Sequence, residues 1–130
     1  MTDKERVALL EFGEGWSMWI SAEQLPLTVG RGAENTVVLA DNLGVSRRHC
    51  MLDYRENVLH VIDVGSTNGT EVEGRWLQGQ STGIRRRSCV VVGDVVFWVT
   101  PCDPLGRLVL VSDADDTTYH RKGFPTRPSG

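Results

Sequence analysis

Hydrophobic and polar residues alternate in this chain over short runs, and no stretch sustains the 3.6-residue period of an amphipathic helix. Each alternating run predicts a strand, and the Gly, Pro and Asn clusters between the runs predict turns. About eleven short strands are predicted, at residues 7–12, 16–20, 25–29, 36–39, 49–54, 58–64, 70–73, 75–77, 88–92, 95–100 and 107–112. Short strands with closely spaced turns are typical of an all-β antiparallel sandwich, which is the fold class we predict.

The alternating pattern stops after residue 112. Residues 113–116 are mostly acidic, and residues 119–130 are basic and rich in proline. Such a segment has too few apolar side chains to form a core. We therefore expect one β-sandwich domain at residues 1–112 and a polar flexible tail or linker at residues 113–130. The 130 residues suffice for one domain with its own core.

The composition of the chain argues against several classes of function and of binding site. The formal net charge of −3 argues against binding nucleic acid through bulk electrostatics. No apolar run approaches the roughly 20 residues that cross a bilayer, and the first residues lack a signal-peptide pattern, so we expect a cytoplasmic protein without membrane contact. The cysteines Cys50, Cys89 and Cys102 have no Cys-x-x-Cys spacing, so we expect reduced thiols, no metal and no cofactor.

Three polar segments interrupt the strand pattern where predicted strands end: Gly30-Arg31, residues 45–49 and residues 65–70. A β-sandwich gathers the loops at one end of its sheets into one surface, so we expect these segments to be neighbours. Together they supply guanidinium groups, hydroxyls and a carboxamide. These groups suit a phosphate ester, which carries nearly two negative charges and three acceptor oxygens. The residue types therefore indicate a surface that binds phosphate.

Each of these residues also has an ordinary structural explanation. Arg31 is compatible with a solvated side chain, Ser46 with a local turn hydroxyl, and Asn68-Gly69 with a hairpin turn. Ser46 and His49 do not form a nucleophile and its base, because the sequence places no third partner beside them. We therefore expect no catalytic residues and no enzyme.

The run of Arg85, Arg86 and Arg87 is compatible with two roles. It could extend a positive surface toward an acidic peptide or a second phosphate. It could instead be a solvent-exposed loop between two strands, and the pattern favours this interpretation.

In order and spacing, the three polar segments resemble the forkhead-associated (FHA) domain family, whose members read phosphothreonine. The resemblance covers about residues 27–99. Residues 27–31 are similar to the opening Gly-Arg of the family, residues 45–50 to its Ser-Arg-x-His segment, and residues 63–70 to its Ser-x-Asn-Gly-Thr segment. The resemblance implies an FHA-like sandwich that captures a phosphothreonine-containing protein segment in signalling.

The resemblance also implies a role for each matching residue. The phosphopeptide-binding residues would be Arg31, Ser46, Arg47, Thr67 and Asn68. Of these, Asn68 would hold the peptide main chain, and Ser46, Arg47 and Thr67 would contact the phosphate. Arg31 would contact the phosphate or brace the peptide backbone near it. A methyl-sized pocket gives the family its preference for phosphothreonine over phosphoserine. Gly30, His49 and Gly69 would support the structure of the site.

Two other functions remain open from the sequence. The chain could be a phosphate-independent protein-interaction or dimerisation domain, for which the strand carrying Trp16 and Trp19 offers a contact. It could also be the regulatory part of a larger protein. We expect the partner to be a phosphothreonine-containing protein or peptide, and the chain to be a monomer, with weak homodimerisation left open.

Overall fold

The structure, a computed structural model, describes residues 1–13 and 15–110, and strands make up nearly all of its regular elements. They are β1 (Arg6–Phe12), β2 (Ser17–Ser21), β3 (Leu27–Gly30), β4 (Val37–Val38), β5 (Cys50–Arg55), β6 (Val58–Asp63), β7 (Thr70–Val72), β8 (Arg75–Leu77), β9 (Ser81–Gly83), β10 (Ser88–Val92) and β11 (Val95–Pro101). Two single-turn 3-10 helices, Asp3–Glu5 and Ala22–Gln24, accompany them. The prediction of an all-β fold is confirmed.

The strands form the two sheets of a sandwich. The six-stranded sheet has the order β2-β1-β11-β10-β7-β8, and the five-stranded sheet has the order β4-β3-β5-β6-β9. The paired strands run antiparallel except β3 and β4, which are parallel. The predicted antiparallel sandwich is therefore confirmed, with one parallel pair at an edge of the five-stranded sheet.

Strand β9 lies inside residues 78–84, which the sequence pattern predicts to be a loop. Its residues Ser81 and Gly83 pair with Ile62 and His60 of β6. The sequence Ser-Thr-Gly has no apolar residue to alternate, so its backbone pairing leaves no hydrophobic pattern.

The strand predicted at residues 107–112 is reduced to a bridge in the part of the chain that the structure describes. Leu108 forms an isolated antiparallel bridge with Cys102. Residues 111–112 and the predicted tail at residues 113–130 lie outside the described residues.

The core consists of the inward-facing residues of the two sheets. In β11 the side chains of Phe97 and Val99 are buried, whereas Val96 is half exposed. Other fully buried large side chains are Leu10, Ile20, Leu27, Leu52 and Leu77. Full burial of such a side chain contributes roughly 1.5–3 kcal/mol. The core, rather than any single loop contact, therefore holds the sheets together.

Among the described residues, no helix is long and apolar enough to cross a membrane. In the same part of the chain, no group of three or more His, Cys, Asp or Glu side chains is placed to hold a metal ion. The cysteines are free thiols, with Cys50 and Cys89 buried and Cys102 partly exposed.

Strand register brings the polar loops to one end of the sandwich. Cys50, which begins β5, pairs with Val29 near the end of β3 and with Asp63 at the end of β6. The loops after β3, before β5 and after β6 therefore leave the sheet at the same edge. We call them the Arg31 loop (residues 31–36), the Ser46 loop (residues 39–49) and the Thr67 loop (residues 64–69).

Candidate functional site

The Arg31 loop is joined to the Ser46 loop through backbone hydrogen bonds. The amide of Arg31 donates to the carbonyl of Ser46 at 3.0 Å, and the amide of Gly32 donates to the carbonyl of Arg47 at 3.1 Å. Gly30 makes this approach possible, because a Cβ at that position would overlap the Arg47 carbonyl oxygen. The two loops therefore behave as one rigid surface.

Asn35 fastens the same junction from inside. Its side chain is buried, and its Nδ2 donates to the carbonyls of Gly32 at 2.8 Å and Arg47 at 2.7 Å. This role of Asn35 was not predicted, because Glu34-Asn35 has the pattern of an ordinary polar turn. A carboxamide in a turn between two short strands was the only signal.

His49 connects the Ser46 loop to the Thr67 loop. Its imidazole is fully buried, its Nδ1 accepts the amide of Ser46 at 3.0 Å, and its Nε2 lies 2.8 Å from the carbonyl of Gly69. Because Nδ1 accepts, the ring proton sits on Nε2 and is donated to Gly69. One neutral side chain thus fixes the spacing of two loops.

Ser46 and Thr67 meet directly. The backbone amide of Thr67 donates to Oγ of Ser46 at 2.9 Å. This bond uses an oxygen lone pair, so the hydroxyl hydrogen of Ser46 can be donated to a ligand. The exposed hydroxyl of Thr67 lies on the same rim.

Two guanidinium groups flank this pair. Nε of Arg31 donates to the carbonyl of Val45 at 3.0 Å, which fixes the plane of the guanidinium group, and the residue is exposed. Nε of Arg47 lies 3.2 Å from Oε2 of Glu34, and the Arg47 side chain is 72% exposed. An exposed pair of this kind contributes at most about 1 kcal/mol, so a stronger anion can displace Glu34.

Asn68 is anchored at the outer side of the site. Its Nδ2 donates to the carbonyl of Gly44 at 3.1 Å, which ties the tip of the Thr67 loop to the Ser46 loop. The residue is exposed, so its carboxamide lies where a peptide backbone could bind.

Asp63 holds the Thr67 loop in shape from below. Its buried Oδ1 accepts the hydroxyls of Ser66 and Thr70, each at 2.6 Å. Its Oδ2 accepts the amides of Gly65 and Ser66, each at 3.0 Å, and of Gly79 at 2.8 Å. Burial raises the pKa of this carboxyl, but the hydrogen bonds lower it by more, so the pKa lies below its ordinary value.

Two further side chains brace the Thr67 loop and were missed by the sequence analysis. Nε2 of Gln78 donates to the carbonyls of Ser66 at 3.0 Å and Thr67 at 2.9 Å. The indole of Trp76 covers Gly69, which has a φ of +82°, so a Cβ there would overlap the ring. Trp76 lies in β8 and Gln78 directly follows that strand. No local sequence signal links either residue to the Thr67 loop.

The arginine run lies away from the site, at the opposite end of the sandwich. It precedes Ser88, which pairs with Val99 near the far end of β11. The guanidinium of Arg87 lies 4.0 Å from the centroid of the Trp98 ring, and its Nε lies 3.5 Å from Oε1 of Glu11. The structure thus does not place this run beside the Ser46 loop.

The five predicted phosphopeptide-binding residues lie on three loops that direct hydrogen bonds join into one rim. The predicted support residues lie between these loops. On the alternative surface, Trp16 is half exposed, and Trp19 is covered by the guanidinium of Arg6 at 3.9 Å from the ring centroid.

The sequence profile of the FHA domain matches residues 27–93, which are just over half of the chain and include the three loops. The FHA domain-containing protein FhaB of Mycobacterium tuberculosis is 39% identical over 54 residues, or 42% of this chain and 34% of FhaB. The oxoglutarate dehydrogenase inhibitor of Corynebacterium glutamicum is 43% identical over 63 residues, or 47% of this chain and 43% of the inhibitor. The chain spans less than half the length of both relatives.

Two solved structures have a fold similar to that of this chain. One from a structural and functional analysis of phosphothreonine-dependent FHA domain interactions has a TM-score of 0.61 and 25% identity, over 72% of this chain and 94% of its own. The structure of Mycobacterium tuberculosis EmbR in complex with a low-affinity phosphopeptide has a TM-score of 0.64, over 82% of this chain and 26% of EmbR. At 20% identity, the second match concerns the fold alone.

Proposed function

Because this chain belongs to the FHA domain family, we propose that its three joined loops capture a phosphothreonine-containing segment of a partner protein. The observation that carries the proposal is the bond from the Thr67 amide to Oγ of Ser46. It fixes the hydroxyl of Ser46, which precedes Arg47 and whose carbonyl accepts the Arg31 amide, with its hydrogen still to donate. The chain is a binding module and not an enzyme, as its family membership indicates.

The phosphate is held by charge-assisted hydrogen bonds. The terminal nitrogens of Arg31 form a fork whose plane is fixed by the bond from its Nε to Val45. Such a fork gives two parallel bonds to phosphate oxygens. The hydroxyl of Ser46 donates to the same group, and that of Thr67 completes the rim.

Arg47 contributes charge that becomes available when the phosphate arrives. Its partner Glu34 is a single exposed carboxylate, whereas a phosphate monoester carries close to two negative charges. Exchange of Glu34 for phosphate therefore strengthens the attraction. It also moves a negative charge away from the incoming ligand.

Asn68 orients the peptide. Its Nδ2 is tied to Gly44, so the carboxamide is held at a defined angle, and its Oδ1 can accept a backbone amide of the ligand. Contacts to the main chain hold any sequence. Discrimination of neighbouring residues therefore falls to side chains around the loops, and selectivity for phosphothreonine over phosphoserine to a methyl-sized pocket beside the phosphate.

Gly30, His49 and Gly69 support the site without touching the ligand. Gly30 admits the Arg47 carbonyl, His49 bridges two loops, and Gly69 lies under Trp76. We also propose that residues 1–112 form one domain, which precedes a linker. This domain acts as a monomer in cytoplasmic signalling. EmbR carries a similar fold in 26% of its own chain, so this fold occurs inside longer proteins, which is compatible with a role as the regulatory part of a larger protein.

The proposal is tested by titrating the protein with a degenerate phosphothreonine peptide library, its unphosphorylated counterpart and a phosphoserine counterpart, at two salt concentrations. We expect micromolar binding of the phosphothreonine set alone. Equal binding of all three sets would contradict phosphate recognition and support a phosphate-independent contact. Binding that disappears entirely in moderate salt would indicate an unspecific charge effect.

A further inference from the structure

An apolar groove opens at the side of the sandwich where β2 and β4 are the edge strands of their sheets. Its volume is about 400 Å³, and it lies between the first hairpin and the strand that follows the Arg31 loop. The apolar side chains that line it are Phe12, Trp16, Met18, Val37, Val38 and Leu39. It is therefore a hydrophobic site outside the phosphate rim.

The walls of this groove are held in position while remaining accessible. Trp16 is 50% exposed and Val38 is 43% exposed. The Trp16 ring meets Phe12 edge to face at 4.8 Å between centroids, and Phe12 stacks on the buried Phe97 at the same distance. The core thus orients the indole, which lowers the ordering cost for a ligand that packs against it.

The groove is continuous with the phosphate site through the backbone. Val38 pairs with Gly30, and the amide of Leu39 donates to the carbonyl of Gly30 at 2.8 Å. Gly30 immediately precedes Arg31. One wall of the groove and the phosphate-binding fork therefore belong to adjacent residues of the same paired strands.

The strand order of the five-stranded sheet shows in which direction the groove lies from the phosphate rim and how far away it is. Along the five-stranded sheet, the residues follow as Asn68 after β6, Ser46 before β5 and Arg31 after β3, with β4 and the groove beyond. Strands are spaced at about 4.8 Å, so the groove lies roughly 10–15 Å from the phosphate rim. An extended chain covers about 3.3 Å per residue, so this distance corresponds to about three to five residues.

We propose that the groove binds an apolar side chain, of the leucine or aromatic type, that the phosphorylated partner segment itself carries. That side chain lies about three to five residues from the phosphothreonine, on the arm of the segment that runs away from Asn68. The inference rests on the proposed function, since the phosphate sets the register of the segment. The groove then adds a second anchor to the phosphate, and a bulky apolar residue at that distance distinguishes true partners from other phosphorylated sequences.

The test uses one phosphothreonine peptide in a Gly and Ser background, into which a single Leu is introduced at each position in turn on both sides. Affinities are measured for the wild-type chain, Val38→Thr and Trp16→Ala. We expect Leu at one or two positions on one arm to strengthen wild-type binding about tenfold, as burial of one such side chain allows. Both variants should lose most of this gain and still bind the unsubstituted phosphopeptide as the wild type does.

Val96→Thr is the matched control, because Val96 is also a half-exposed valine in a strand, on the six-stranded sheet. It should keep the full gain. The inference is overturned if no position gives a gain, if all variants keep it, or if wild-type chains self-associate through the groove and Val38→Thr makes them monomeric. Phosphate-dependent binding without a Leu effect overturns this inference alone, whereas phosphate-independent binding overturns the proposed function with it.

Discussion

The imidazole of His49 accepts the amide of Ser46 and donates to the carbonyl of Gly69, so it sets the distance between two of the three loops. His49 is fully buried and touches no solvent where a ligand would bind. The geometry of the proposed phosphate rim therefore depends on a buried residue that lies outside the rim.

Replacing this imidazole should damage both stability and binding. His49→Ala leaves a buried cavity and an unpaired amide and carbonyl, so we expect the free energy of unfolding to fall by about 2–4 kcal/mol. Phosphopeptide affinity should fall at least tenfold at temperatures where the variant is folded. Urea unfolding and calorimetric titration measure the two effects. His60→Ala is the control, since His60 bonds only to nearby Val58, at 2.9 Å, among the contacts that the structure records. Normal affinity in folded His49→Ala would contradict the positioning role.

Removing the Ser46 hydroxyl should weaken binding while the fold persists. Ser46→Ala removes the proposed donor to the phosphate and the acceptor for the Thr67 amide, so we expect affinity to fall by about 2 kcal/mol, near thirtyfold. The free energy of unfolding should change by about 1 kcal/mol at most, since the site is at the surface. Ser17→Ala is the matched control, because Ser17 is exposed at the start of β2. Unchanged affinity for phosphopeptide in Ser46→Ala would rule out the assigned role.

The shape of the Arg31 fork should matter as well as its charge. Arg31→Lys keeps the charge but loses the bond from Nε to Val45 and the two parallel donors, so we expect at least a tenfold loss of affinity. Arg75→Lys makes the same change at an exposed position in β8. It should bind as the wild type does. Equal affinities for wild type and Arg31→Lys would show that the site uses only a point charge.

The carboxylate of Asp63 should make the domain sensitive to acid. Its folded pKa lies below the ordinary value of 3.8, because hydrogen bonds led by those from Ser66 and Thr70 outweigh the effect of burial. Its stabilising contribution is therefore present above the unfolded pKa and is lost as the pH falls through the lowered folded pKa. Urea unfolding at decreasing pH should show this loss.

Asp63→Asn should remove that part of the acid dependence and destabilise the domain by about 3 kcal/mol at neutral pH, because charge-assisted bonds are lost. Asp94→Asn, at an exposed turn, is the control and should leave both properties unchanged. An Asp63→Asn chain as stable as the wild type, with the same acid dependence, would show that the hydrogen bonds to the Asp63 carboxylate are dispensable.

The cysteines should react at very different rates. Burial raises the pKa of the Cys50 thiol to about 12, so almost none of this thiol is ionised at pH 8. Cys50 and the buried Cys89 should resist a thiol reagent until the domain unfolds, while the partly exposed Cys102 reacts in the native state. Labelling followed by mass spectrometry measures this order. Native-state labelling of Cys50 ahead of Cys102 would contradict the burial.

The sequence predicted the strands whose side chains alternate between core and solvent, as in β11, where Phe97 is buried and Val96 is half exposed. It missed β9, because Ser-Thr-Gly pairs through its backbone and leaves no hydrophobic pattern. Periodicity reports side-chain burial and not hydrogen bonding. A strand such as β9, which leaves no hydrophobic pattern, can therefore be identified only once its partner strand is placed.

The same limit applies to the site. The residues proposed to face the ligand lie in recognisable motifs. In contrast, Asn35 and Gln78 act on carbonyls of other loops, and Asp63 looks like one more polar position at a strand end. Their partners are fixed by the fold and not by sequence spacing. A resemblance between motifs thus gave the candidate rim, and only the structure gave what holds it in shape.

The most direct test of the account is a nuclear magnetic resonance titration with a phosphothreonine peptide selected from the library. We predict that the backbone amides of Arg31, Ser46 and Thr67 shift most and that those of the arginine run at residues 85–87 stay in place. Ser46→Ala should lose these shifts at the same peptide concentration. Shifts centred on residues 85–87 or on the outer face of the six-stranded sheet would contradict the central claim that the three joined loops bind the phosphate.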